Sequence, residues 1–291
     1  MDARLERWQA YVPAVFVAIW STGFVAARLG MPHAPAASFL ALRFALSALC
    51  FGLWALLGGA AWPSGRAQWG HLAVVGGLVH GVYLLSSWSA VKLGLGAGTM
   101  ALIAGMQPLL TALWFSLSSA DAAERLGPRQ WLGLLLGAAG VLVVVSSKLG
   151  AGEASAANIL LGLLGLCGIT AGSIYQRRFL APCDTRSAMG IQLAAACLLS
   201  LPLLPFETQA MQWHGDLVAA MLWSVLVLTL GGSSLLFIML RHGAATRVSS
   251  LMFLTPPCAA LIAHFWFGES LAWAVVLGMG LSALGVRLVM R

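Results

Sequence analysis

Apolar residues run the length of this chain in stretches separated by charged, Pro-rich or Gly-rich breaks. Those breaks delimit ten segments: 13–29, 36–57, 69–91, 96–117, 129–147, 158–176, 187–205, 217–240, 247–267 and 270–288. Each approaches the ~20 apolar residues that a membrane-crossing helix requires. The pattern predicts an all-α membrane protein of ten transmembrane helices with almost no extramembrane domain. The apolar run Val12–Ala27 follows Arg4 and Arg7 and leads through Arg28 into a second span, so it reads as an uncleaved first helix rather than a signal peptide.

The same pattern repeats within the chain. Shifting the sequence on itself by 149 residues superposes Gly23 on Gly172, Arg28 on Arg177, Ala45 on Ala194, Leu49 on Leu198, Lys92 on Arg241, Gly94 on Gly243, Leu102 on Leu251 and Pro108 on Pro257. One register therefore runs through four consecutive spans. After Ser118–Asp121 the offset becomes 145, which aligns Glu124, Gly133 and Gly140 with Glu269, Gly278 and Gly285. The chain thus divides into a five-helix repeat over 1–150 and a second over 151–291. Five is odd, so the second repeat enters the membrane with the opposite orientation. Inverted repeats around a midplane cavity are the architecture expected of a secondary transporter.

Composition fits this reading and narrows it. Hydrophobic residues make up 60% of the 291 and charged residues only 9%, where soluble domains carry about a quarter charged; mean hydropathy is +0.91. The net charge of +7 is spread singly between apolar runs, so it marks topology rather than a nucleic-acid surface. With both termini cytoplasmic, twelve of the 16 Lys and Arg fall on the inner side, only Arg28, Lys92 and Lys148 fall outside, and Arg43 lies within the second span. Five cysteines without a CxxC pair give no disulfide framework, and neither a metal site nor a cofactor is expected.

Several local pieces resemble the ten-helix EamA family of the drug/metabolite transporter superfamily. They are Trp20-Ser21-Thr22-Gly23-Phe24, Leu42-Arg43-Phe44, Trp88-Ser89-Ala90-Val91-Lys92, the paired Pro108 and Pro257, Glu124-Arg125-Leu126 with Glu269-Ser270-Leu271, and Gly133-x6-Gly140 with Gly278-x6-Gly285. The match covers nearly the whole chain, and within the family it looks most like the YddG-type exporters of aromatic and other amino acids. The resemblance implies a bacterial inner-membrane carrier with cytoplasmic termini that exports small metabolites, with drugs as the alternative cargo. Its partners would be a small-molecule substrate and the lipid bilayer; no nucleic acid is implied, and a monomer would suffice.

Candidate chemistry follows from polar residues placed inside apolar spans, where they are costly and normally face a cavity or a neighbouring helix. His80, Tyr83 and Ser87 fall at i, i+3 and i+7, one face of an α-helix. Their repeat mates are Thr229, Gly232 and Leu236. Gln107, Thr111 and Trp114 form a second stripe, and Trp20 joins them as a possible substrate contact. Arg43 lies roughly 10 Å from the outer end of its span at 1.5 Å per residue. It and its mate Gln192 are open to a substrate-binding or a structural role. Pro108, Pro256 and Pro257 predict symmetric mid-depth kinks that could act as hinges or gates. Glu124 and Glu269 suit helix N-termini, and Arg28 and Arg177 suit C-terminal ends. The pairs Gly77-Gly81, Gly133-Gly137 and Gly168-Gly172 permit close helix contact, within the chain or between copies. No Asp or Glu lies deep in a span, so only His80 could carry a coupling proton, and uniport stays as open as antiport. An intramembrane enzyme would need Ser233 or Ser234 with His80 or His264, or a metal motif such as HExxH, which the chain lacks.

Overall fold

The computed structural model describes residues 3–118, 126–150, 153–241 and 254–289, and within these every regular element is a helix. The first span is split at Thr22 into α1 (Ala3–Ser21) and α2 (Gly23–Gly30). There the Thr22 hydroxyl donates back to the Ile19 carbonyl at 2.6 Å. α3 (Ala36–Leu57) follows Pro35, whose extended backbone starts the helix. The third span joins α4 (Arg66–Gly76) to α5 (Tyr83–Lys92) through a π-helical segment, Gly77–Val82. α6 (Ala97–Ala104) and α7 (Gln107–Ser118) share the fourth span, and α8 (Pro128–Gly150) is the fifth.

The second repeat has the same order. α9 (Ala156–Phe179) opens with a reciprocal capping box between Ser155 and Asn158. α10 (Thr185–Ser200) is capped by the Asp184 carboxylate and runs on as a 3-10 turn, Leu201–Phe206. α11 (Gly215–Leu222) and α12 (Ser233–Arg241) flank a second π-helical segment, Trp223–Gly232. α13 (Thr255–Phe267) and α14 (Trp273–Val289) complete the described chain.

Among the described residues eight helices are long and apolar enough to cross a membrane, from Tyr11–Gly30 to Gly215–Leu236. α14 is a shorter apolar helix, and of the expected span 247–267 only the part from Leu254 is described. Glu124, Arg125, Gly243, Arg247 and Leu251 lie outside the described residues, as do the side chains of Arg4, Arg7, Trp8 and Arg241.

Burial is distributed as a bilayer solvent demands. Large apolar side chains such as Leu57 (87% exposed) and Phe265 (82%) cover the outside, while Ser47, Ser87, Asn158 and Ser224 are fully buried. Trp62, Trp69, Trp131, Trp213 and Trp273 are exposed near helix ends, where an interfacial belt would sit.

Repeat mates pack against each other in opposite directions. α3 meets α10 with Ala41 beside Cys197, Gly52 beside Gly190 and Gly58 beside Arg186. As numbers rise along one helix they fall along the other. α8 and α14 cross in the same sense: a Cβ on Gly133 would overlap the Gly285 carbonyl, and one on Gly140 the Gly278 carbonyl. The paired glycines let these two backbones touch. The other glycine pairs also serve contacts within the chain: Gly81 packs on Leu199, Gly137 on Leu109, and Gly168 and Gly172 on the third span.

The prolines differ from the expectation of interior kinks. Gly105 and Met106 separate α6 from α7, and Pro108 is the second residue of α7. Pro256 and Pro257 stand in the first turn of α13. An N–H in a first turn has no intrahelical acceptor, so proline costs little there. The fourth span is therefore interrupted at Gly105 and Met106, just ahead of Pro108. The interruption faces its mate, since a Cβ on Gly105 would meet Pro256 Cγ at 3.0 Å.

Candidate functional site

The two π-helical segments occupy equivalent places in the repeats, since 77–82 maps onto 226–231 at the 149-residue offset. π-helical turns inside α-helices are rare and concentrate at functional sites. Here they hold His80 in the first repeat and Thr229, its mate, in the second. The Thr229 hydroxyl donates to the Ser224 carbonyl at 2.8 Å, five residues back, as the wider turn allows.

Each π segment faces a helix of the other repeat. Arg43, on α3, donates from Nη2 to Thr229 Oγ1 at 3.2 Å. Gln192, the mate of Arg43 on α10, lies against the His80 ring. The two contacts are thus one arrangement made twice, once as arginine with threonine and once as glutamine with histidine. The α10 approach is close, because any Cβ at Gly76 would overlap the Gln192 backbone.

Arg43 is 8% exposed, and its guanidinium stacks 5.2 Å from the centroid of the Trp88 ring. Trp88 is itself buried and stacked on Phe39 at 5.0 Å. Tyr83 faces Arg43 within electrostatic range and meets Phe24 edge-on at 6.4 Å. Among the described residues Arg43 pairs with no carboxylate. His80 and Tyr83 are both partly buried. Trp20 closes the same region from the first span: a Cβ on Gly232 would touch its ring at 3.4 Å.

The structure therefore gathers Arg43, His80, Tyr83, Gln192 and Thr229 at one place, with Trp20 beside the second π segment. It does not bring the remaining expected residues there. Ser87 is buried against Gly165 of α9, at a helix contact. The π-helical segment Gly77–Val82 ends between His80 and Ser87, so the α-helical spacing that joined them does not carry across it. Gln107 donates to Ser173 Oγ on α9 at 3.1 Å, and the Thr111 hydroxyl returns to the Gln107 carbonyl at 2.8 Å. Trp114 is exposed. That stripe makes interhelical and local bonds. Pro256 and Pro257 border a separate small cavity of about 20 Å³ with Gly105 and Ser282.

Glu269 acts on a different helix from the one expected. Its carboxylate lies ahead of α14 but accepts the Ala97 N–H at the start of α6, at 3.0 Å. Glu207, which the sequence did not single out, accepts the N–H groups of Ala37 and Ser38 at 2.7 and 2.9 Å and the Ser38 hydroxyl at 2.6 Å. Neither pairing carries a spacing signal, because each joins residues about 170 positions apart.

Comparison with known proteins gives this geometry a family setting. The model of the EamA-like transporter family matches the chain twice, over residues 9–146 and 156–291. A Salmonella typhimurium protein named "Probable amino-acid metabolite efflux pump" is 23% identical, the match covering 95% of this chain and 94% of that protein. An uncharacterised transporter of Archaeoglobus fulgidus is 24% identical over 99% of each. A solved crystal structure shares the fold, with a TM-score of 0.63 and 20% identity over 97% of this chain and 96% of that one.

Proposed function

Because this chain belongs to the EamA-like transporter family, a family of multi-pass membrane transporters, we propose that it exports small metabolites bearing a carboxylate, neutral and aromatic amino acids first among them. It would do so from a bacterial inner membrane with both termini cytoplasmic. In this reading residues 1–150 and 151–291 are inverted halves that rock around the Arg43–His80 site and expose it alternately to each side.

The observation that carries the substrate class is Arg43. A buried guanidinium without a carboxylate partner is costly, and its planar fork matches a carboxylate in two-pronged geometry. Thr229 and Trp88 orient it and use only part of its donor set. Trp20, Tyr83 and Phe24 supply apolar and aromatic surface for a side chain, and the relative named as an amino-acid metabolite efflux pump points the same way.

The test is efflux from proteoliposomes loaded with radiolabelled Phe, Trp, Thr and Met, with and without a pH gradient. Efflux above protein-free liposomes, competed by other amino acids but not by their carboxyl-amidated analogues, is the expected result. Efflux of none of them, with transport of an uncharged drug retained, would remove the carboxylate reading and leave a drug exporter. The response to the gradient separates proton antiport from uniport.

A further inference from the structure

On the face of the molecule where α2 passes to α3, three metal-ligating side chains from the two repeats converge. His33 lies in the α2–α3 connection, His214 is the N-cap of α11, and Asp216 stands in the first turn of α11. Their nearest ligand atoms all lie within 4.8 Å of one another. Asp216 Oδ2 is 3.4 Å from His214 Nδ1 and 3.7 Å from His33 Nε2. The two imidazoles stack with centroids 4.6 Å apart and planes 16° from parallel. The two segments are already fastened, since the Gln212 N–H donates to the His33 carbonyl at 2.8 Å.

One hydrogen bond fixes the acceptor nitrogen of His214. The Asp216 backbone N–H donates to His214 Nδ1 at 3.3 Å, so this nitrogen is an acceptor. It faces the Asp216 carboxylate oxygen, another acceptor, and His33 Nε2 lies 3.7 Å from that oxygen. A proton can be shared between two such atoms; a metal ion can take all three. Two imidazole nitrogens and one carboxylate oxygen suit a divalent cation of intermediate softness. Tetrahedral bonds of about 2.0–2.1 Å set ligand atoms about 3.3 Å apart, so closing on an ion requires the two stacked rings to turn out of parallel and His214 Nδ1 to exchange the Asp216 N–H for the ion. All three side chains keep solvent access, which leaves room for a water in the fourth position.

We propose that His33, His214 and Asp216 form a binding site for a divalent transition-metal cation such as zinc(II), which clasps the first-repeat connection to the start of α11 and holds this face closed. The site itself stands apart from the export reading. Only its gating consequence rests on alternating access.

Titration of the detergent-purified full chain with zinc chloride in a calorimeter tests the site. One saturable equivalent is expected. His33→Ala and His214→Ala should each weaken it by more than the about 10- to 100-fold that loss of an outer-sphere partner costs, while His71→Ala and His264→Ala leave it unchanged. No saturable binding, or binding that survives both His33→Ala and His214→Ala, overturns the site. Hydrogen exchange tests the clasp: zinc should slow exchange of the Gln212 amide in the unmodified chain and not in His214→Ala. Unchanged exchange at saturating zinc overturns the clasp. Both measurements are made without solute flux, so failure of the export reading would leave them standing.

Discussion

Arg43 has two anchors and an uncommitted side. Trp88 holds the plane of the guanidinium and Thr229 takes one of its five protons, which leaves donors free for a solute. Lysine at this position keeps the charge but cannot stack flat on the indole while reaching Thr229. Loss of one charge-assisted hydrogen bond costs about 1.5–3 kcal/mol. Arg43→Lys should therefore raise the KM for carboxylate-bearing solutes about 10- to 100-fold with a much smaller change in maximal rate. Proteoliposome kinetics would check this, and an equal loss for solutes lacking the carboxylate would assign Arg43 to structure alone. The 149-residue offset already made Arg43 equivalent to Gln192 and His80 to Thr229. It could not say that Arg43 touches Thr229, because an offset reports equivalence and the contacts run crosswise between the repeats. Ser87 was misplaced for a related reason, since nothing in its neighbours' chemistry announces a π-helical turn.

At the scale of elements, glycine and proline decide what the helices can do. α8 and α14 approach so closely at Gly140 and Gly278 that each backbone occupies the space of the other's Cβ. Overpacking a tight contact costs about 1–3 kcal/mol. Gly140→Val should accordingly lower the midpoint of thermal unfolding and the yield of monodisperse protein. Gly280, on α14 with nothing within 4 Å of an added Cβ, supplies the control: Gly280→Ala should be neutral or slightly stabilising, given alanine's helix preference of up to ~1 kcal/mol. Equal damage by both changes would show that α14 packs otherwise. The helices were legible because apolar run length is a one-dimensional signal, but the offset aligned Gly133 with Gly278 and Gly140 with Gly285, whereas the contacts join Gly133 to Gly285 and Gly140 to Gly278. The proline geometry was only half legible. Sequence placed Pro108 and Pro257 at equivalent depths, but whether a proline kinks a helix or starts one depends on where the preceding helix stops, here at Gly105. A first-turn proline contributes no ladder bond, so Pro108→Ala should leave the fold intact while permitting α6 and α7 to join. In the same efflux assay a slower rate is expected from Pro108→Ala, and an unchanged rate would remove the interruption from the transport cycle.

Over the whole molecule, charged side chains tie the two repeats together on one face. Glu207 caps α3 and Glu269 caps α6, each reaching from the second repeat to a helix start in the first. Lys92 meets Gln209 at 2.8 Å, and Lys148 meets Ser270 Oγ at 3.0 Å. At the opposite end the described bonds between repeats include Arg186 to the Gly58 carbonyl, Ser187 to the Ala61 carbonyl and Gln130 to the Val289 carbonyl. No carboxylate takes part in these three. In the proposed alternating-access cycle, opening of the first face would require its two carboxylates to release the amides of Ala37, Ser38 and Ala97, so their strength would set how often it opens. A carboxylate at a helix N-terminus contributes about 1 kcal/mol, and glutamine keeps the acceptor but not the charge. Glu207→Gln with Glu269→Gln should together favour the open face by about 2 kcal/mol, close to a 30-fold shift in population. The readout is hydrogen exchange at Ala37, Ser38 and Ala97, which should quicken by a similar factor while the α8–α14 amides stay protected. Exchange that rises everywhere would mean general destabilisation, and exchange that rises nowhere would mean that these caps do not govern opening.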